Sequence, residues 1–164
     1  MDVQDLYRQR LTTAEAAAAL IESNSDVAMG MAVAEPPALL SALARRAEAG
    51  RLDGVRLWYF HSMEHAARTV LRADLIGRIR PHCMFMSRVE RELIAARPGA
   101  VEFVPVAFSE SPALLSRQRP LDACVTTVSP MDRHGFFTFG TSNDYPSVAA
   151  RSARKLIVEV NPAM

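Results

Sequence analysis

Five short apolar runs do most to limit what this chain can fold into: Asp26–Ala34 (DVAMGMAVA), Val55–Phe60 (VRLWYF), Val101–Val106 (VEFVPV), Ala123–Val128 (ACVTTV) and Leu156–Val160 (LIVEV). Each reads as a buried strand closed by turn-forming residues. The stretches between them carry helix signals. Thr12 or Thr13 caps TTAEAAAALIES, which has Glu15 in its first turn. Pro36-Pro37 opens a segment with Leu39, Leu40, Leu43 and Ala47 at helical spacing, and Gly50 stops it. Ser87 caps a helix to Arg97. Ser111-Pro112 opens a short one closed by Gln118-Arg119-Pro120, and Ser142 or Asn143 starts another that runs to Arg154. Residues 3–10 form a first short helix, His82–Met86 a further short strand, and residues 62–79 turn from helix to loop. Strands alternating with helices predict an α/β fold, a mostly parallel sheet flanked by helices. At 164 residues, the chain has the size of a single domain.

Charge and cysteine usage narrow the function classes. The formal net charge is +1, and the basic residues are scattered along the chain rather than clustered. That argues against a nucleic-acid or acidic-membrane partner. Cys83 and Cys124 make no disulfide framework and fit a reducing compartment. MDVQDLYRQR lacks the apolar core of a signal peptide, and the longest apolar run, Ala28–Ala34, is far too short to span a bilayer. The expected address is the cytoplasm.

Four groups of residues are candidates for chemistry. His61-Ser62-Met63-Glu64-His65 fits an H-x-x-E-H zinc pattern, with Glu64 as base and a third ligand from Glu90 or Glu92. The plainer reading, a polar loop and helix start after VRLWYF, is preferred, with no metal. Gly30, Met31, Ala32, Val33, Ala34 and Glu35 form a loop between strand and helix whose backbone N–H groups can receive an anion or oxyanion. Its single glycine excludes a dinucleotide fingerprint or P-loop. Cys124 reads as an inert core residue, and Cys83 lacks a paired base, since His82 points to the opposite face of its strand. Finally, Val128–Pro162 (VSPMDRHGFFTFGTSNDYPSVAARSARKLIVEVNP) reads as a strand end, a short hairpin, a helix and a returning strand. Ser129, Asp132, His134, Asp144, Tyr145 and Asn161 lie at the ends of its apolar runs.

VSPMDRHGFFTFGTSNDY and AARSARKLIVEVNPAM together resemble the acetyl-CoA hydrolase/transferase family. AEPPALL (34–40) resembles that family's first βα loop, most closely in the 4-hydroxybutyrate CoA-transferase branch. VEFVPVAFSESPALL and YRQRLTTAEAAAALIESNSDV also fit. The resemblance implies a NagB/RpiA/CoA-transferase-like fold and places this chain as the N-terminal half of a two-half enzyme. It implies an acyl-CoA and a carboxylate acceptor as substrates, no cofactor, and a homo-oligomer. It places the nucleophilic glutamate in the C-terminal half, so no catalytic residue is expected here. Gly30 to Glu35 would contribute the acyl-pocket side, with Ser129, His134, Asp144 and Tyr145 as turn-makers and framework. His61–His65 departs from the glycine or threonine turn the family carries after the second strand. An isolated half would expose apolar surface and self-associate. The alternative is a stand-alone, non-catalytic module that binds an acyl-CoA or a protein.

Overall fold

The computed structural model describes residues 2–117 and 120–164. Its frame is a six-stranded sheet: β1 Asp26–Met29, β2 Val55–Tyr59, β3 Ile79–Cys83, β4 Glu102–Phe103, β5 Ala123–Val128 and β6 Lys155–Val160. The order is β4-β3-β2-β1-β5-β6, and every pairing is parallel. All residues of β1 and β5 are buried, as central strands covered on both faces should be. Seven helices accompany the sheet among the described residues: α1 Val3–Arg10, α2 Ala14–Ala19, α3 Pro37–Glu48, α4 Glu64–Arg68, α5 Arg88–Ala96, α6 Ser111–Arg117 and α7 Pro146–Ser152. None of the described helices is long and apolar enough to cross a membrane.

The sheet has a packed layer on each face. Val27, Met29, Leu57, Tyr59 and Val125 join Ala18 of α2, Leu40 and Leu43 of α3, Ala66 of α4 and Leu93 of α5 in one buried cluster. Ala28 and Cys124 face the other way, against Leu115 of α6 and Tyr145 and Ala149 around the start of α7. This split follows from the strand repeat, which sends neighbouring side chains to opposite faces.

Local chemistry fixes three of the helix starts. Thr13 Oγ1 accepts from Ala16 N at 3.2 Å and opens α2. Pro37 occupies the first turn of α3, where its missing N–H costs nothing. Ser87 and Glu90 form a capping box on α5.

Several sequence expectations change. The first run is a strand to Met29 and then enters the expected loop, within which Ala32–Ala34 forms a 3₁₀ turn. The third strand runs Ile79–Cys83 rather than 82–86: Ile79, Pro81 and Cys83 face inward, while Arg80 and His82 interrupt the apolar run. Only Glu102 and Phe103 of VEFVPV pair, and they do so at the sheet edge. The short hairpin expected between β5 and the last helix has no strand at Phe136–Phe139. Bonds from Ser129 N to Thr138 O (3.0 Å) and Asp132 N to Phe136 O (2.9 Å) fold it into a turn instead. The last helix starts at Pro146, later than Ser142. Of the expected stop at Gln118-Arg119-Pro120, residues 118 and 119 lie outside the described residues.

Connections leave β1 toward β2 on one side, while β5 lies on its other side. The carboxyl ends of β1 and β5 therefore flank a topological switch point, the place where an open α/β sheet leaves a crevice. The opposite end of β1 is tied off: Asp26 accepts from Arg56 Nε at 2.7 Å and Trp58 Nε1 at 2.8 Å.

Candidate active site at the sheet switch point

The loop Gly30–Glu35 leaves β1 at this crevice. Gly30 N donates to Val125 O of β5 at 2.9 Å. A Cβ on Gly30 would fall 2.5 Å from both Ala34 O and Thr126 Oγ1, so any larger residue forces the loop open. Ala32 holds a left-handed φ of +52°, sparsely populated for a residue with a side chain. Two β5 hydroxyls complete the cradle. Thr126 Oγ1 donates to Ala34 O at 3.3 Å and Thr127 Oγ1 to Glu35 O at 3.0 Å. Sequence reading missed both threonines, because inside ACVTTV they look like ordinary β-branched strand residues.

The six loop residues divide by burial. Gly30, Ala34 and Glu35 are buried, Met31 and Ala32 half-buried, and Val33 is 59% exposed. The Glu35 carboxylate is buried and taken up by the segment that follows β2. Its Oε1 accepts from Met63 N at 2.7 Å and its Oε2 from Ala66 N at 3.2 Å, at the start of α4. Burial pushes its pKa up to about 7; the two N–H groups pull against that, and the charge of Glu90 adds to it.

A second loop follows β2 beside the first. Tyr145 joins them: its hydroxyl donates to Met29 O at 2.5 Å and accepts from Phe60 N at 3.3 Å. Burial holds its pKa well above the ordinary tyrosine value. Phe60 stacks on Phe85 at 5.8 Å and meets Phe108 edge-on at 4.7 Å. His61 lies 6.0 Å from Phe85, also edge-on. Phe85 and Phe108 are about half exposed, and Met31 and Phe60 pack on one cluster. The strand ends thus carry an apolar, aromatic wall next to a backbone cradle.

The H-x-x-E-H reading does not survive the geometry. α4 begins at Glu64, so His61 lies off the helix and cannot share a helical face with His65. His65 Nε2 donates to Pro37 O at 3.0 Å, and Glu90 accepts from Ser62 and Ser87. Among the described residues no group of three or more His, Cys, Asp or Glu could hold a metal ion. Both cysteines are buried, which drives each thiol up to about 12. The Cys83 thiol donates to Phe85 O at 2.8 Å.

The polar residues of Val128–Pro162 are mostly engaged with neighbouring backbone. Asp132 Oδ1 accepts from His134 N at 2.8 Å and Phe136 N at 2.9 Å. Ser129 Oγ donates to Pro130 O and accepts from Thr138 N, both at 3.0 Å. His134 Nε2 accepts from Arg133 Nε at 3.0 Å. Asp144 Oδ1 accepts from Tyr145 N at 2.7 Å, and Asn161 Oδ1 from Ala163 N at 2.9 Å. Tyr145 alone among these reaches the loops at the crevice.

Comparison with known proteins converges on one group. The family model described as the acetyl-CoA hydrolase/transferase N-terminal domain matches residues 1–164. The crystal structure of RipA from Yersinia pestis superposes with a TM-score of 0.96 at 47% identity, covering 100% of this chain and 39% of that one. A succinyl-CoA:cyclohexane-1-carboxylate CoA transferase of Geobacter metallireducens is 36% identical over 95% of this chain and 34% of its own length. A 4-hydroxybutyrate coenzyme A transferase of Clostridium kluyveri is 32% identical over 100% of this chain and 37% of its own. The chain therefore spans only about a third of the length of these curated relatives.

Proposed function

The chain belongs to the acetyl-CoA hydrolase/transferase family, matching its N-terminal domain, and from that premise we propose that it is the acyl-pocket side of an acyl-CoA:carboxylate CoA-transferase. The observation that carries this reading is the cradle at the switch point. Gly30, Ala34 and Glu35 are its buried frame, pinned to β5 and α4. Met31, Ala32 and Val33 are its open face, beside the Phe60, Phe85 and Phe108 wall.

In this reading the nucleophile is a glutamate of the C-terminal half. Its carboxylate attacks the thioester carbonyl, the C–S bond breaks, and CoA leaves as thiolate with an acyl-glutamyl anhydride behind it. The thiolate then attacks the glutamyl carbonyl and releases the first carboxylic acid as its anion, which leaves a glutamyl-CoA thioester. A second carboxylate repeats the two steps in reverse order and departs as the new acyl-CoA, restoring the glutamate. This chain's own residues hold and orient the acyl group, shield the anhydride from water, and offer loop backbone N–H groups to the carbonyl oxygen. Glu35 is unsuited to be the nucleophile, because both its oxygens are occupied and buried. The working enzyme is a homo-oligomer of such paired halves, and the CoA thioester is its substrate rather than a resident cofactor.

The test is CoA exchange between butyryl-CoA and acetate. Exchange is expected when this chain is joined to, or co-folded with, a C-terminal half, and not from either half alone. Absence of exchange from a folded pair over a range of acyl-CoAs would refute the assignment.

A further inference from the structure

Segment Phe60–Ala66 is held from four directions. Phe60 N donates to the Tyr145 hydroxyl, Ser62 Oγ to Glu90, Met63 N and Ala66 N to Glu35, and His65 Nε2 to Pro37 O. Two of the anchors are carboxylates with almost no exposure, 4% for Glu35 and 0% for Glu90. Buried carboxylates are costly without a cation. Among the described residues neither forms an ion pair.

Helix capping accounts for only part of this. Glu90 Oε2 takes Ser87 N at 2.9 Å and the Ser87 hydroxyl, which completes the box on α5. Its Oε1 leaves the helix and takes the Ser62 hydroxyl from the loop. Glu35 spans two loops at once, with its carbonyl on Thr127 and its carboxylate on the N–H groups of Met63 and Ala66. The segment they fix carries Phe60, whose ring touches Phe85 and Phe108 and packs with Met31 on a common cluster.

We propose that Glu35 and Glu90 are positioning residues that set acyl-chain preference, by fixing Phe60–Ala66 against the Met31–Val33 loop so that the wall accepts an acyl group with an apolar chain. The inference rests on reading the crevice as the acyl-CoA site. A lost anchor lets the Phe60 wall move away from the cradle, and a displacement of about an ångström in a binding wall is enough to alter discrimination between chains.

The experiment compares kcat/KM for butyryl-CoA and acetyl-CoA in the enzyme assembled from both halves. The variants are Ser62→Ala, Glu35→Ala, Glu35→Gln and Glu90→Gln. Ser62→Ala removes only the loop hydroxyl and leaves the α5 box intact, so it keeps the test open if Glu35→Ala fails to fold. The butyryl-to-acetyl ratio is expected to fall about tenfold in Glu35→Ala and about threefold in Ser62→Ala. Glu35→Gln, which keeps an acceptor for Met63 N, is expected to recover most of the ratio, and Glu90→Gln to behave likewise. A purely structural role would lower both kcat/KM values together and leave the ratio untouched. A ratio constant within about twofold across folded, active variants overturns the inference. Wild-type enzyme inert toward both thioesters instead overturns the functional reading, and the inference falls with it.

Discussion

A carboxyl buried with only backbone N–H partners ties stability to pH. Glu35 titrates at about 7 in the folded chain against 4.5 in the ordinary case, with burial as the first cause. The folded state thus keeps a proton that the unfolded state gives up. The resulting stabilisation is complete below pH 4.5 and is lost as pH rises through about 7. The loss is on the order of 3 kcal/mol, since each tenfold difference in proton affinity between the two states is worth about 1.4 kcal/mol. Glu35→Gln has no such proton to lose. Urea unfolding at pH 5 and pH 8 should show the variant gaining on the wild type as pH rises, and parallel pH dependences would mean that Glu35 is not the titrating group.

Elements are held together here by side chains reaching across the sheet. Glu159 of β6 accepts from Ala38 N at 3.1 Å and Leu39 N at 3.0 Å, capping the twelve-residue α3 from 120 positions away. Its charge also opposes the helix dipole. Glu159→Ala should lower stability by about 1 kcal/mol. Calorimetry should read this as a fall in Tm of about 2–4 °C, with Glu159→Gln in between. An unchanged Tm would remove Glu159 from the account. Such long-range contacts mark the boundary of what the sequence shows. ACVTTV and LIVEV are legible as strands because they are short runs dominated by apolar and β-branched residues, and Thr13, Pro37 and Ser87 announce their helices by local chemistry. Ile79–Cys83 is hidden because Arg80, Pro81 and His82 break the run while alternation still buries Ile79 and Cys83. At the site, the glycine and the loop are legible. The partnership of Thr126 and Thr127 with that loop, and of Tyr145 with Met29 and Phe60 beside it, is not, because each bond spans 85 or more positions.

Across the whole molecule, the crevice is furnished from one side. It offers a backbone cradle, an aromatic wall and fixed loops, with Glu35 and Glu90 both turned inward. That arrangement suits a domain that holds an acyl group while another supplies the nucleophile. It also agrees with a chain that spans about a third of its curated relatives. The most direct measurement of this claim is to find which carboxylate becomes covalently loaded. The assembled enzyme would be incubated with acyl-CoA, quenched with hydroxylamine to convert a glutamyl thioester to a stable hydroxamate, digested, and sequenced by mass spectrometry. The account predicts a single modified glutamate in the C-terminal half and none among the glutamates of this chain. A hydroxamate on Glu35, or on any other glutamate between Met1 and Met164, would contradict it.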